Sequence, residues 1–127
     1  MTKIERTIRS ILGDTNRNLC SFVESIGQTE YLLFEKKIPM DDIQVTDEVY
    51  AVVAAQLKKE PGAVAKGVER LVKECWEEGD QERLEEVIGK KLKYAPYPKR
   101  ALCYFAFYTY LDIPFFEYIE RDPRVLF

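Results

Sequence analysis

Residues 61–79 read PGAVAKGVERLVKECWEEG, and this stretch has the most regular helical period in the chain. Its apolar side chains recur at spacings of three and four residues, which is typical of one buried helix face. Pro61 suits the first position of a helix, and Gly79 suits the residue just past its end. The sequence therefore predicts a helix over about 61–78. Its inward-facing residues are Val64, Val68, Leu71, Val72, Cys75 and Trp76.

A second helical pattern precedes this one, over about 46–58, and a short turn at residues 58–62 joins the two. Thr46 is a candidate cap for its first turn. Its apolar residues at helical spacing are Val49, Val52, Val53 and Leu57. Two helices of this size around a short turn are the geometry of a helix-turn-helix, whose second helix can lie in a DNA major groove.

The rest of the chain also has helical periods, and no segment shows the alternation of a strand. The further predicted elements are a helix at 4–12, a helical stretch at 19–34 capped by Asn18, a short helix capped by Asp80 and ended by Gly89, a buried helix at about 99–111, and a last short helix at 115–119 stopped by Pro123. We therefore predict an all-α fold, a compact bundle of six to seven short helices containing the helix-turn-helix.

The composition favours one soluble domain over residues 1–127. Hydrophobic residues make up 46% of the chain and aromatic residues 13%, which is enough for a core. No apolar run reaches the roughly 18 residues of a membrane span, and the N-terminus does not read as a signal peptide, so we expect a cytoplasmic protein. The isolated Cys20, Cys75 and Cys103 are expected to be reduced core residues. Because the chain has no His, we expect no metal site and no cofactor.

The run TDEVYAVVAAQLKKEPGAVAKGVERLVKECWEEGD, residues 46–80, resembles the C-terminal effector domain of the stage 0 sporulation protein A family, the sporulation initiation response regulators. The resemblance covers about residues 45–111, which leaves residues 1–44 as divergent N-terminal helices and 112–127 as a C-terminal extension. Its markers are Val64, Val68, Glu69, Arg70, Trp76, Gly79, Gly89 and Pro98.

The resemblance implies an all-helical transcription regulator of sporulation that binds double-stranded DNA as a dimer. It places the recognition helix at 61–78 and the supporting helix at 46–58. The family carries this domain behind a phosphorylatable receiver domain, for which 127 residues leave no room. We therefore expect no switching by aspartyl phosphate.

The chain departs from the family at several positions. The segment before Thr46 lacks the Gly-Pro-His and Lys-Gly-Tyr features associated with the family's second helix. Ala63 and Ala65 replace charged residues, and Glu69 stands where a basic residue would sit.

The outward face of the predicted recognition helix supplies the candidate base contacts, Ala63, Lys66 and Arg70. Lys66 and Arg70 can hydrogen-bond guanine or phosphate, and Ala63 can touch a thymine methyl. The alternative is a solvated face on which Glu69 supports Lys73 at i, i+4.

Residues 89–100, which we call the basic loop, contain five cations and no acid, interleaved with Tyr94 and Tyr97. The loop is a candidate clamp on a phosphate backbone. The alternative is a solvated loop whose Tyr rings pack on the core. The candidate phosphate contacts are Lys58, Lys59, Lys73, Lys90, Lys91, Lys93, Lys99 and Arg100.

The charge balance keeps a second function open. The net charge is -3, whereas a DNA-binding domain usually has a basic excess. A protein-interaction module of the same fold, which modulates a regulator and does not bind DNA, is the alternative. Its partner surface would be the acidic segment 74–86 or the apolar C-terminal segment, unless the latter packs on the core. The candidate partner residues in that segment are Phe115, Phe116, Tyr118 and Phe127.

Enzymatic activity is not expected, because the chain has no His for general acid–base work near neutrality. It also has no Gly-rich phosphate motif and no nucleophile elbow.

Overall fold

The computed structural model describes residues 1–126, and over these residues the chain is all-helical. This confirms the predicted all-α bundle of six to seven helices. The seven α-helices of this part are α1 (Lys3–Leu12), α2 (Cys20–Glu30), α3 (Ala51–Leu57), α4 (Pro61–Glu77), α5 (Gln81–Ile88), α6 (Pro98–Leu111) and α7 (Phe115–Arg121). No helix among the residues described combines the length and the apolar character needed to cross a membrane.

Short turns of other helical types extend two of these helices. A π-helical turn at Tyr31–Glu35 continues α2, and another at Val45–Tyr50 leads directly into α3. The helix predicted over 46–58 is therefore one continuous element at 45–57, and residues 58–60 connect it to α4.

Helix α6 is the centre of the fold, as its apolar composition predicts. Every residue from Ala101 to Phe107 is buried. The Phe105 ring meets Phe22 of α2 edge-on at 5.3 Å between centroids and Trp76 of α4 at 6.1 Å. Such edge-to-face pairs each add about 0.5–1.5 kcal/mol to the effect of burial. Helices α2 and α4 are thus held on the same residue of α6.

Several local signals act as predicted. Asp80 caps α5, because its carboxylate accepts a hydrogen bond from the Arg83 N–H at 3.1 Å. Gly89 ends α5 with a φ of 100°, a left-handed conformation that favours glycine. Pro61 and Pro98 open α4 and α6.

One predicted cap is wrong and one is confirmed. Thr46 caps nothing, because the helical turn begins at Val45, and the Glu48 carboxylate accepts from the Gln44 N–H at 2.7 Å. Asn18 caps the start of the helical stretch as predicted, because its side-chain oxygen accepts from the Cys20 N–H at 2.8 Å and Leu19 already has helical dihedral angles.

The predicted partner surface in the C-terminal segment is wrong for Phe115, which is only 1% exposed. Its ring packs against Tyr104 at 4.7 Å and Phe107 at 5.1 Å, so it belongs to the core. Phe116 and Tyr118 are half-buried against the same core. Phe127 lies outside the described residues.

The turn after α4 makes a close contact with α1. The Asp80 N–H donates to the Ile11 carbonyl at 2.8 Å. A Cβ added at Gly79 would lie 2.6 Å from both the Cys75 carbonyl oxygen and the Ile11 Cγ2. Glycine is needed here because of this approach, and α4 itself already ends at Glu77.

We predict that Gly79→Ala lowers the free energy of unfolding by about 1–3 kcal/mol, since the added methyl group must displace backbone and the Ile11 side chain. Gly62→Ala is the matched control, because nothing lies within 4 Å of a Cβ at that position. Urea denaturation followed by circular dichroism measures both. Equal stability of the two variants would contradict the proposed close contact.

Candidate nucleic-acid interface

The outer face of α4 carries Lys66, Arg70 and Lys73, which we call the basic stripe, with Ala63 one turn before it. All four residues are exposed, and their spacing puts them on one side of the helix. None of the three cations takes part in an ion pair within the described chain. The alternative in which Glu69 pairs with Lys73 is therefore not observed, and the cationic groups remain open to solvent.

The opposite face of α4 is fixed by the core and by α2. Val64, Val68 and Cys75 have no exposed surface. At Gly67, an added Cβ would lie 3.1 Å from the Ser21 Cβ, so α2 approaches α4 closely at this point. This approach sets the N-terminal end of α2 beside the basic stripe.

Arg17, just before α2, is a site residue that the sequence reasoning missed. It forms an ion pair with Glu74 of α4. Together with Asn18, Gly67 and Arg70 it also lines a small pocket of about 180 Å³. Residues 17 and 74 are too far apart in the sequence for their pairing to appear in a helical pattern. The ion pair forms only because α2 approaches α4 closely in the fold. The ion pair with Arg17 neutralises the negative charge of Glu74, an acid beside the stripe.

Glu69 is the acid that stays on this face. It is exposed and takes part in no ion pair within the described residues. Burial, and secondarily the Glu69 carboxylate, raises the pKa of Tyr50 to about 12. Glu69 therefore leaves one unpaired carboxylate beside the cations of the stripe, within the described residues.

The cations of the basic loop differ in what surrounds them. Lys90, Lys91, Lys93 and Arg100 are all exposed. The Lys90 ammonium also lies 4.4 Å from the Phe116 ring centroid, and the Lys93 ammonium lies 5.5 Å from that of Tyr94. Lys99 is half-buried in the first turn of α6, and its ammonium donates to the Asp41 carbonyl at 3.3 Å. Lys99 is thus tied to the protein itself and is the least suited to hold a phosphate.

Two further candidate phosphate contacts, Lys58 and Lys59, lie in the turn between α3 and α4. Both are exposed, and Lys58 has a φ of 57°, which ends α3 in the left-handed conformation. They flank the N-terminal end of α4 and so extend the positive region along the helix axis.

The Tyr rings of the basic loop do not pack on the core, so that alternative is wrong. Tyr94 is 75% exposed and Tyr97 82% exposed, compared with 45% for Tyr31 and 46% for Tyr110. The loop instead lies against α4 and forms a groove with it, which we call the Tyr97 groove. Its lining is Glu69, Val72, Lys73 and Glu77 from α4 with Ala95, Pro96, Tyr97 and Pro98 from the loop. The loop and the C-terminal half of the stripe are therefore one continuous surface.

Comparisons with protein families, with curated proteins and with solved structures find no match to this chain. The resemblance to the sporulation regulator family therefore stays a prediction.

Acidic residues begin where the basic stripe ends. Glu77 and Glu78 close α4, and exposed acids continue over the first turns of α5. Arg83 does not offset them all, because it pairs with Glu86 at 3.1 Å and also donates to the Ser10 and Tyr108 hydroxyls. Residues 77–86 thus form an acidic region next to the stripe, while further exposed acids, among them Glu60 and Glu69, lie near the stripe itself.

The cysteines separate into two classes. Cys75 and Cys103 are buried, and desolvation raises the pKa of each thiol to about 12. Cys20, at the first position of α2, is exposed. The prediction of a core position is therefore wrong for Cys20, because α2 turns its first residue outward.

We predict that the folded protein exposes one reactive thiol to a disulfide reagent at about pH 8, and three after denaturation. Because burial raises the thiol pKa in the folded state, the two buried cysteines add stability below the unfolded pKa. That contribution is lost as pH rises toward about 12. Fast reaction of three thiols in the native protein would contradict this burial.

Proposed function

We propose that this protein is a DNA-binding transcription regulator in which α4 lies in the major groove. The open cations of the basic stripe support this proposal most directly. Lys66 and Arg70 would contact base edges and Ala63 a thymine methyl, since residues early in a recognition helix reach the bases. The element at 45–57 would support α4 from behind.

The basic loop and the turn before α4 would hold the phosphate backbone on either side. The exposed cations of this surface include Lys73 in the basic stripe and Lys91 and Arg100 in the basic loop. Phosphate contacts position the helix, while the stripe would read sequence. Six of the 22 acidic residues lie at the end of α4 and over residues 80–86, whereas Glu60 and Glu69 lie within the proposed DNA surface. The proposal therefore depends on the local cations of the stripe and the basic loop and not on the net charge of -3.

The resemblance to the sporulation regulators extends the proposal to a regulator of sporulation genes in the cytoplasm that binds as a dimer. A DNA site for paired copies would have two half-sites separated by a multiple of the helical turn.

The acidic region favours a second candidate, a module that binds a basic surface of a regulator. Glu78, Asp80, Glu82 and Glu85 are exposed, and none is in an ion pair within the described residues. In that case α5 and not α4 would carry the binding energy. Burial removes Phe115 alone from the candidate contacts of the C-terminal segment.

Lys66→Ala/Arg70→Ala is predicted to weaken duplex binding at least about tenfold, because each good base contact contributes about 1–3 kcal/mol of discrimination. Fluorescence anisotropy would be read on duplexes with and without the recognition box of the sporulation regulator family. The matched control is Arg6→Ala/Lys36→Ala, which removes the same charge from exposed positions outside α4 and the basic loop.

The proposal requires that the control variant binds like wild type and that binding weakens as salt rises. Absence of duplex binding by the wild type even at ~50 mM salt would refute it, since phosphate contacts are strong under that condition. Equal losses in both double variants would show that charge alone matters and would remove the assigned base contacts.

A further inference from the structure

The exposure of Tyr94 and Tyr97 calls for an explanation that duplex binding by α4 does not supply. These rings are the two most exposed large aromatic groups in the described chain. An exposed Tyr is unremarkable singly, but two in one short loop with several cations form a distinct surface. A cationic track interleaved with aromatic rings is the arrangement that binds single-stranded nucleic acid.

We propose that the Tyr97 groove and the basic loop form a stacking site for unpaired nucleobases of single-stranded DNA. A base would lie on the Tyr97 ring at the mouth of the groove, and a neighbouring base on Tyr94. Lys91 and Lys93 would hold the phosphates between them. This site shares Lys73 and the basic loop with the proposed duplex surface, but it does not require base reading by Lys66 and Arg70.

The backbone around Tyr97 is already fixed for this role. Tyr97 lies between Pro96 and Pro98, with φ -62° and ψ 151°. Its carbonyl accepts from the Ala101 N–H at 3.0 Å, which ties it to the first turn of the buried helix α6. Little backbone freedom is lost when a base stacks on such a ring, because the chain is ordered before binding.

The groove has room for a base beside the ring. It encloses about 310 Å³, and Val72, Ala95 and Pro96 supply apolar lining. Lys73 is the cation of the groove, and Glu69 and Glu77 lie one helical turn before and after it. The lining therefore combines an apolar wall with hydrogen-bonding groups at its edge.

The two carboxylates give this site a preference among bases. A carboxylate accepts from the exocyclic amino group of cytosine, whereas thymine presents a carbonyl oxygen at the same position. Cytosine and thymine have the same ring size, so stacking distinguishes them little. The geometry thus favours cytosine over thymine in the groove.

The experiment measures the anisotropy of labelled oligo(dC) and oligo(dT) of about 12 nucleotides, a length within the usual range of single-strand sites. Tyr97→Leu is expected to weaken oligo(dC) binding at least about fivefold, and Tyr97→Phe to retain it, since stacking needs the ring and not the hydroxyl. Tyr31→Leu is the matched control on another surface. Thermal unfolding by circular dichroism confirms that each variant folds.

The base preference is tested with Glu69→Gln/Glu77→Gln. The wild type should bind oligo(dC) about fivefold more tightly than oligo(dT), and the double variant should lose this preference because glutamine both donates and accepts. Stacking is overturned if Tyr97→Leu binds like wild type, or if the wild type binds no single strand at ~50 mM salt. The preference is overturned if it survives in the double variant.

Lys66→Ala/Arg70→Ala separates this proposal from the regulator function. That variant should keep single-strand binding. If this variant loses duplex binding and retains single-strand binding, both proposals are supported. A wild type that binds single strands but no duplex refutes only the regulator function.

Discussion

Burial of α6 is the constraint on which the rest of the structure depends. From Ala101 to Phe107 no residue of this helix reaches solvent, so other elements must cover it on all sides. Phe105 is shared by α2 and α4, and Phe107 meets Phe34 and Phe115. A helix that is apolar all round cannot be stable at a surface, and its neighbours are therefore fixed by the need to cover it.

This constraint determines which side of α4 stays open. The Trp76 side chain of α4 packs inward against Phe105, and Gly67 allows α2 to contact α4 on a second side. The face of α4 that stays exposed is therefore the one that carries the basic stripe. The same constraint places the basic loop, because the loop leads directly into the first turn of α6. Tyr97 and its flanking prolines are thereby brought beside Lys73, and two separate cationic segments become one surface.

Local patterns predicted the helices well, because each one depends on periodicity, on proline at its start or on glycine and aspartate at its ends. Asp80, Gly89 and Pro98 are examples. The sequence did not predict the π-helical turn at Val45–Tyr50, because its form depends on packing against α2 and α4. It left open whether Phe115 packs on the core or meets a partner, and the structure buries it. The cations of the stripe were identified by spacing. The Arg17–Glu74 pair and the docking of the loop on α4 were not, because they join residues that only the tertiary fold brings together.

We propose that the basic stripe and the basic loop act as one nucleic-acid surface. Amide chemical shifts of the labelled protein, followed during titration with duplex DNA at ~50 mM salt, test this most directly. We expect the largest changes at residues 66–73 and 90–97, with α5 unaffected. Changes centred on residues 81–88, or none at all, would contradict it and would point to the acidic region as the binding surface.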